Sequence, residues 1–364
     1  MKSGSFYGKA LAVLIALSAF AVPSSNIVSE AEDAYEQAAY QALIKSQPTA
    51  APTQEPMPTA EAVVAQATQD AQATATMLPT FAPTEEPAYE LPMDTYEGGY
   101  APKEENYSTI DGVELPDGTT TTAECYKDPS IEAICYKWRL YDSDIHIIRI
   151  KVSHASQLRT AISKEAVGNS TSVTAEMASA KNAVVAINGE YYSQREGAVF
   201  IVKQSNVIKS SPARSLHQLI IDTNGDFHIT TSRSDSESMI AQIGSSVYQG
   251  FTFGPALVVD GVATSYDDYQ FDADGDNPRA AIGQIGHLEY IICAVDGRND
   301  ENKGVTASQL ADIMAQIGCT SAYNLDGGGS TSLYWHGQII NHMNYSGNQR
   351  EISDIVYFAS SYPG

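Results

Sequence analysis

Short apolar runs bounded by polar residues or glycine recur through the C-terminal two thirds of the chain. Their length and their content of valine, isoleucine, tyrosine and phenylalanine are typical of β-strands. Ordered character begins near Ile110 to Glu124. Strands are then predicted at Ile134–Tyr141, Ile145–Val152, Ala183–Ile187, Val199–Val202, Gln218–Ile221, Phe227–Thr230, Leu257–Val259, Leu288–Val295 and Ile355–Phe358.

Two segments have the pattern of helices. In Thr306–Ile317, apolar residues recur three and four positions apart, a capping box starts the segment and Gly318 ends it. The second helix is predicted at about Val173–Ala180. Because strands are many and helices few, we expect an α+β fold. A single domain, residues 107–364, would have a mostly antiparallel sheet covered by a few helices.

The most distinctive stretch is Asn324–Thr331, which joins the clearer helix to a strand-like run at Ser332–Trp335. Its three consecutive glycines would weaken a regular element by about 0.5–1 kcal/mol each relative to alanine. A loop of this kind lets backbone amides approach an anionic group closely. A flexible hairpin turn is the alternative, but it gives no role to Asp326 or to the hydroxyl groups of Ser330 and Thr331.

Polar clusters stand at the ends of other predicted strands. Asn188–Tyr192 follows one strand, Asp296–Arg298 follows another, and Asn277–Arg279 precedes an apolar run at Ala280–Ile282. Polar residues at strand ends can converge on one edge of a sheet and line a pocket. Each cluster alone also fits an ordinary turn. Together with the glycine stretch, they predict a functional site.

The first 22 residues have the features of an export signal. Lys2 and Lys9 precede an apolar run, Ala10–Val22, which is too short to span a bilayer comfortably. A cleaved signal peptide and an uncleaved anchor both stay open. In either case we expect a secreted or extracellular protein, and tethering through the N-terminus would hold it at a membrane or cell wall.

Residues 23–106 are rich in alanine, threonine, proline, glutamine and glutamate, and Ala51–Pro56 recurs in similar form at Ala82–Pro87. This composition buries too little apolar surface to offset the entropy lost on ordering. We therefore expect a disordered, extended stalk that prolines stiffen. It would act as a spacer through a cell wall or as a passive tail.

The formal charge of −23 argues against nucleic acid as a partner, because its phosphates would be repelled. Part of this acidity belongs to the stalk. Between Val28 and Glu114 the only basic residues are Lys45 and Lys103.

Export permits disulfides, and the chain has four cysteines. We favour a bond between Cys125 and Cys135, which could staple a hairpin, while Cys293 and Cys319 lie in apolar, strand-like contexts. Since C-x-x-C spacing is absent from the sequence, a zinc site built on cysteine is disfavoured.

No cofactor is predicted to be required. Asp272–Asp276 resembles the start of a calcium loop, but its glycine precedes the third acid and the distal glutamate is missing, so a solvated acidic loop is favoured. The seven histidines lack metal-ligand spacing. His146 is interpreted as a core residue of a strand. His336 and His342 are either substrate contacts or exposed loop residues.

Six motifs follow one another in the chain. They are Asn188-Gly189 with Tyr191-Tyr192, Gly254–Leu257, Pro278–Gly283, Asp296–Arg298 with Gly304–Thr306, Asn324–Ser330, and Arg350 with Ile352 and Asp354. In combination, these motifs resemble the phosphodiester glycosidase family. The resemblance extends from about Ser153 to Phe358. The chain departs from the family at Ala280, where threonine is frequent, at Lys303, where serine is frequent, and at Glu190, a variable position.

The resemblance implies hydrolysis of a sugar-1-phosphodiester, such as N-acetylglucosamine-1-phosphodiester, at the anomeric carbon. The products would be a free sugar and a phosphomonoester, and the substrate a phosphate-linked glycan of surface or extracellular polysaccharide. This chemistry needs charge that stabilises the departing phosphate and a carboxylate that faces the anomeric centre.

Candidate residues follow from this implied chemistry. Asp326 is preferred as base or oxocarbenium stabiliser, ahead of Asp296 and Glu190. Arg279 is the first choice for the phosphate, because a guanidinium group can grip two phosphate oxygens. The other predicted substrate-binding residues are Asn188, Gly189, Tyr192, Arg298, Asn324, Gly327, Gly328, Gly329, Ser330, Thr331 and Arg350.

Other roles stay open. Asp296 could be a turn residue paired with Arg298, Glu190 a solvated turn carboxylate, and Arg350 with Asp354 an ion pair that closes the domain. For the whole protein, the alternatives are a non-catalytic domain that binds sugar phosphates and a metal-dependent phosphodiesterase. The sequence predicts no oligomeric state.

Overall fold

The computed structural model describes residues 89–165, 170–190, 199–210, 216–266, 269, 272–342 and 348–364. The predicted signal and most of the predicted stalk, residues 1–88, lie outside this range. The described strands are β1 (Tyr107–Glu114), β2 (Thr120–Lys127), β3 (Ile131–Leu140), β4 (Ser143–Val152), β5 (Leu158–Ile162), β6 (Ala183–Asn188), β7 (Phe200–Lys203), β8 (Asn206–Ser210), β9 (Gln218–Asp222), β10 (Phe227–Thr230), β11 (Val247–Phe251), β12 (Ala256–Val259), β13 (Val262–Ala263), β14 (Arg279–Gly286), β15 (Glu289–Val295), β16 (Ser321–Asn324), β17 (Leu333–Trp335), β18 (Gln338–Ile339) and β19 (Asp354–Ala359). The described α-helices are α1 (Thr174–Ala180), α2 (Arg233–Ile243) and α3 (Ala307–Gln316).

The largest sheet has nine strands in the order β1-β2-β3-β4-β15-β14-β16-β12-β13, and neighbouring strands are antiparallel. Along β4, Ile148 and Ile150 belong to one apolar core, while Ile145 and Ile147 belong to another. Both faces of this strand are therefore buried, which explains its almost continuous apolar run in the sequence.

Two five-stranded antiparallel sheets complete the β-structure, in the orders β10-β9-β11-β7-β8 and β18-β17-β6-β19-β5. The main core contains residues of all three sheets. Ile282 and Ile292 of the large sheet lie in the same cluster as Leu219 of β9 and Val356 of β19. The three sheets are thus held together by one shared apolar interior.

Helices cover the outer faces of the sheets. Leu310 and Met314 of α3 pack on the second face of the nine-stranded sheet. Met177 and Ala178 of α1 pack against β6 and β19. The predicted α+β fold, with mostly antiparallel sheets and few helices, is confirmed. Within the described residues, no helix has the length and apolar content needed to cross a membrane.

Both predicted helices are present, and α3 starts with the expected capping box of Thr306 and Gln309. Helix α2 was not predicted. Its residues are mostly polar and exposed, so the helical period of apolar residues is weak, although Ser232 caps its N-terminus by accepting a hydrogen bond from the amide of Asp235.

Strand β16 separates α3 from the glycine stretch, so the prediction that the stretch directly follows the helix was wrong. β16 lies between β14 and β12 in the large sheet. Its four residues, Ser321–Asn324, carry too few branched apolar side chains to stand out in the sequence. The glycine stretch therefore begins at the end of a buried strand.

Residues 89–106 contact the sheets, although the sequence placed them in the stalk. Leu91 is buried, and the fully buried guanidinium group of Arg159 donates to the carbonyl oxygens of Pro92 (3.0 Å) and Thr95 (2.8 Å). The ammonium group of Lys181 donates to the carbonyl of Tyr96. Composition alone does not reveal these contacts, because the segment supplies mainly backbone acceptors and the donors lie far away in sequence.

The favoured disulfide between Cys125 and Cys135 is wrong, and all four cysteines are free. In the pairing of β2 with β3, Cys125 lies opposite Ile134 and Cys135 lies opposite Glu124. Successive side chains of a strand point to opposite faces, so the two thiols lie on different faces of the sheet. Each packs in a different apolar core.

We therefore expect four free thiols per chain. Titration with a thiol reagent after unfolding in denaturant, without reductant, should give four equivalents, and reductant should leave the melting temperature of the folded protein unchanged. Two equivalents together with a lower melting temperature in reductant would contradict the four free thiols of the structure.

Candidate active site

Three strand ends meet at one edge of the structure. β6 ends at Asn188, β16 ends at Asn324 and β19 begins at Asp354. The amide of Gly189 donates to the carbonyl of Asp354 (2.8 Å), and the amide of Asp326 donates to the carbonyl of Gly189 (3.1 Å). The cleft at this junction is lined by Thr171, Asn188, Gly189, Glu190, Asp326, Ser330, Arg350, Glu351, Ile352, Ser353 and Asp354.

The glycine stretch forms a tight turn against the start of β14. The amide of Gly328 donates to the carbonyl of Pro278 (2.8 Å), and Gly328 has a positive φ of 60°. A side chain on Gly327 would place its Cβ 2.9 Å from the same carbonyl. The glycines thus allow close backbone packing. Since the amide of Gly328 already donates to Pro278, it is not free to bind an anion.

Asn188 and Asn324 hold backbone segments in place. The side-chain amide of Asn188 donates to the carbonyl of Asp326, and its oxygen accepts from the amide of Ser332 (3.1 Å). The side-chain amide of Asn324 donates to the carbonyl of Gly254 (2.8 Å). These bonds fix both ends of the glycine turn. Contacts of the two asparagines with substrate stay a prediction.

Glu190 and Asp354 share a buried lysine. Lys203 Nζ lies 2.8 Å from Glu190 Oε1 and 2.9 Å from Asp354 Oδ2, and the exposed fraction of each residue is 1% or less. Lys203 also lies over the ring of Phe251, 3.7 Å from its centroid. The alternative in which Glu190 is a solvated turn carboxylate is therefore wrong. Asp354 pairs with Lys203, whereas Arg350 Nη1 lies 3.5 Å from Ser330 Oγ.

The charges of this group shift the pKa values of Lys203 and Asp354. Burial opposes the charge of Lys203, but Asp354 and Glu190 outweigh it and raise the pKa of the ammonium group. Burial also raises the pKa of Asp354 to about 7, with Lys203 lowering it and Glu190 raising it further. Strongly perturbed carboxyl groups in a cleft are characteristic of functional sites.

Asp296 lies at the end of β15 and is buried, without lining the cleft described above. Its Oδ2 lies 3.0 Å from His146 Nε2, and its Oδ1 accepts from the amide of His342 (2.8 Å). Both carboxylate oxygens thus have partners, so the contacts favour a structural role over the predicted catalytic one. His146 is partly buried, with a side chain 12% exposed, and has a hydrogen-bond partner in Asp296.

Arg279 organises the acidic loop. Its Nη2 donates to the carbonyls of Asp272 (2.7 Å) and Gly275 (2.8 Å), and its Nε donates to the carbonyl of Val305 (3.0 Å). Burial lowers its pKa to about 10. Carbonyl oxygens that could have bound a cation therefore accept hydrogen bonds from a guanidinium group.

Among the described residues, no group of three or more histidine, cysteine, aspartate or glutamate side chains is placed to hold a metal ion.

Two other guanidinium groups adjoin the glycine turn and are exposed. A Cβ on Gly328 would lie 3.2 Å from Arg298 Nη1, so Arg298 lies directly against the turn. Arg350 reaches Ser330 at the end of the same turn. Arg298 Nη2 also donates to the side chain of Asn277, which orients it. These two arginines are better placed than Arg279 to meet an anionic group that arrives from solvent.

The structure places the remaining predicted residues as follows. Ser330 lines the cleft, while Thr331 is buried beside it and the turn includes Gly329. Tyr192 lies outside the described residues. His336 stacks on Tyr107, with ring centroids 3.7 Å apart, away from the cleft residues.

Sequence reasoning missed Lys203 and Thr171. Lys203 follows the apolar run of β7 and looks like a residue that leaves the sheet for solvent, yet it is fully buried. Its position at the end of an apolar strand was the one sequence feature that could have indicated a buried lysine. Its carboxylate partners, Glu190 and Asp354, are 13 and 151 residues away in sequence. The hydroxyl group of Thr171 donates a 2.6 Å hydrogen bond to Glu351, and no sequence motif indicates this contact.

The part of the chain that contains most of the cleft residues matches a known protein family. Residues 181–359 match the family model described as phosphodiester glycosidase. This part of the chain belongs to the phosphodiester glycosidase family. The predicted resemblance is thereby confirmed. The matched range contains every residue that lines the cleft except Thr171.

The chain also aligns with a curated bacterial protein. The chain is 29% identical over 192 residues to the SPbeta prophage-derived uncharacterized protein YomE of Bacillus subtilis (strain 168). The alignment covers 51% of this chain and 29% of that protein. The chain therefore spans less than a third of the length of this relative.

A solved structure has the same fold. It is the zebrafish N-acetylglucosamine-1-phosphodiester alpha-N-acetylglucosaminidase catalytic domain, auto-inhibited by its pro-peptide, with a TM-score of 0.53 and 17% sequence identity. The match covers 74% of this chain and 97% of the zebrafish one. At this identity the likeness establishes the fold of the phosphodiester glycosidase domain.

Gly189 is a position where one methyl group should disturb the cleft. A Cβ on Gly189 would lie 2.4–2.7 Å from the carboxyl atoms of Asp354. We expect Gly189→Ala to lower the free energy of unfolding by about 1–3 kcal/mol, as overpacking usually does. The matched control is Gly286→Ala, where nothing lies within 4 Å of the added Cβ. Equal denaturant midpoints for the two variants would contradict the close packing of Gly189 on Asp354.

Proposed function

We propose that the domain hydrolyses sugar-1-phosphodiesters at the anomeric carbon and releases a free sugar and a phosphomonoester. The observation that carries the proposal is the charge arrangement of the cleft. The acidic residues Asp326, Glu190 and Asp354 line it, and the guanidinium groups of Arg298 and Arg350 adjoin its glycine turn. Cleavage develops positive charge at the anomeric carbon and leaves negative charge on the phosphate, and these groups match both charges.

Asp326 is the proposed carboxylate at the anomeric carbon, as a base for water or as a stabiliser of the oxocarbenium ion. Its backbone is fixed on both sides. The amide of Leu325 donates to the carbonyl of Ala280 (2.9 Å), and the amide of Asp326 donates to Gly189. A carboxylate held in this way needs little reorganisation during the reaction, which favours catalysis.

Arg298 and Arg350 are the proposed ligands of the departing phosphate, and they replace Arg279, which the sequence favoured. Arg279 has donors committed to carbonyl oxygens of the acidic loop, whereas Arg298 and Arg350 are exposed beside the turn. A guanidinium group that keeps donors toward solvent can bind phosphate oxygens in a bidentate manner.

N-acetylglucosamine is the proposed sugar, supported by the name of the zebrafish enzyme that shares the fold. The export signal predicted in residues 1–22 supports a phosphate-linked glycan at the cell surface or outside the cell as the physiological substrate.

The decisive test is product analysis with the full chain in water enriched in oxygen-18, using an N-acetylglucosamine-1-phosphodiester and UDP-N-acetylglucosamine, with and without chelator. We expect the label in the free sugar. Label in the phosphate would indicate a phosphodiesterase instead, and binding without turnover would indicate a non-catalytic domain.

The variant Asp326→Asn should lower kcat by about 10²–10⁴-fold. The exposed Asp260→Asn is the matched control and should leave kcat unchanged.

The two proposed phosphate-binding arginines can be separated from a structural one. We expect Arg298→Gln and Arg350→Gln each to lower kcat/KM by roughly 10–100-fold, because a charge-assisted hydrogen bond contributes about 1.5–3 kcal/mol. Arg279→Gln should instead lower the melting temperature. Arg233→Gln, which alters an exposed pair with Glu237 on α2, is the control. Normal kinetics in both cleft variants would contradict the assignment.

A further inference from the structure

The buried group formed by Glu190, Lys203 and Asp354 carries one excess negative charge when all three residues are ionised. Glu190 and Asp354 each contact the ammonium group of Lys203, at 2.8 and 2.9 Å, and each residue is 1% exposed or less. An uncompensated charge is costly in such a place. Binding one proton removes the excess charge, and either carboxyl group could hold it.

The surroundings of the two carboxyl groups differ. Glu190 has partners for both oxygens, since Oε1 accepts from Lys203 and Oε2 accepts from the amide of Thr252 (2.6 Å). Asp354 Oδ2 lies 2.9 Å from Lys203, and the backbone amide of Glu190 also lowers its pKa. Neither of its buried carboxyl oxygens, however, accepts a hydrogen bond of ordinary geometry among the residues that the structure describes. Hydrogen bonds to a carboxylate favour its charged form. The proton therefore belongs on Asp354.

Asp354 also lines the cleft, although its side chain is buried. Its carboxyl atoms lie 2.4–2.7 Å from the position that a Cβ on Gly189 would take, and Gly189 lines the same cleft. The other charged groups that line it are Asp326, Arg350 and Glu351, the last of which accepts a hydrogen bond from Thr171. A protonated carboxyl group in the same cleft as Asp326 would supply the acid that acid–base catalysis needs.

We propose that Asp354 is the general acid of the reaction, and that Lys203 and Glu190 are positioning residues which hold it and control its proton. This inference rests on the proposed function, because it assigns a role within sugar-1-phosphodiester hydrolysis. In the step concerned, the bond between the anomeric carbon and the bridging oxygen breaks, and the electron pair leaves with the phosphate.

The proton balance is complete without another reactant. Asp354 transfers its proton to the departing phosphate, which leaves as the phosphomonoester monoanion. The oxygen of a water molecule bonds to the anomeric carbon, and the proton of that water passes to the carboxylate of Asp326. Exchange with solvent then returns Asp354 to its protonated form and Asp326 to its ionised form.

The proposal predicts the direction of the pH dependence. An acid must be protonated, so kcat/KM of the wild type should fall as the pH rises through about 7, the raised pKa of Asp354. Glu190 raises that pKa through its negative charge. The variant Glu190→Gln should therefore move the alkaline limb of the profile to lower pH. Asp354→Asn should remove this limb.

The experiment is a kcat/KM profile between pH 5 and 9 for the full-length wild type, Asp354→Asn and Glu190→Gln on an N-acetylglucosamine-1-phosphodiester. At pH 6, Asp354→Asn should be slower than the wild type by about 10²-fold, the lower range for a general acid, because phosphate is already a good leaving group. The two curves should approach each other above pH 8, where the wild type has lost the proton.

Each outcome decides one question. Failure of the wild type to turn over the phosphodiester would overturn the proposed function itself. Turnover with the same alkaline limb in Asp354→Asn would overturn the acid role and leave the proposed function standing. If Asp354→Asn does not fold, as judged by its melting curve, Glu190→Gln decides: a limb shifted to lower pH supports the role, and an unmoved limb overturns it.

Discussion

The ammonium group of Lys203, between the carboxyl groups of Glu190 and Asp354, is the contact on which the cleft depends. Lys203 ends β7 in one five-stranded sheet, whereas Glu190 follows β6 and Asp354 begins β19 in the other. One buried cation thus joins two sheets at the place where the cleft opens. Removing one partner of a buried ion pair typically costs about 3–5 kcal/mol. The charge of the site and the junction of the sheets therefore depend on the same three residues.

Backbone packing around this contact leaves little room for side chains. Gly189 lies against Asp354, and the glycine turn lies against Pro278 and Arg298. The side chains of Asn188 and Asn324 fix the same segments through carbonyl oxygens. The acidic residues of the cleft are thus attached to a closely hydrogen-bonded backbone. Such rigidity matches the requirement that charges be in place before a transition state forms.

The sequence predicted the α+β class, the long apolar strands and the helices α1 and α3. These features depend on patterns of apolar and polar residues that are local in the chain. It also brought the Asn188, Asn324 and Asp326 motifs together through a family resemblance. It misplaced features that depend on contacts distant in sequence. Lys203 was missed because its carboxylate partners lie far away in sequence. Arg279 was predicted to bind phosphate, but its donors are bonded to carbonyl oxygens, and Cys125 was paired with Cys135, but the strand register places them on different faces.

The segment from residue 89 to residue 106 sets a limit on how this domain can be shortened. Arg159 and Lys181 are buried cations that donate to carbonyl oxygens of Pro92, Thr95 and Tyr96. A chain that began at Tyr107 would lack these acceptors, and each buried donor left without a partner costs about 1–3 kcal/mol. The smallest stable unit therefore has to start upstream of the first strand of the sheet, inside a region whose composition alone would mark it as dispensable.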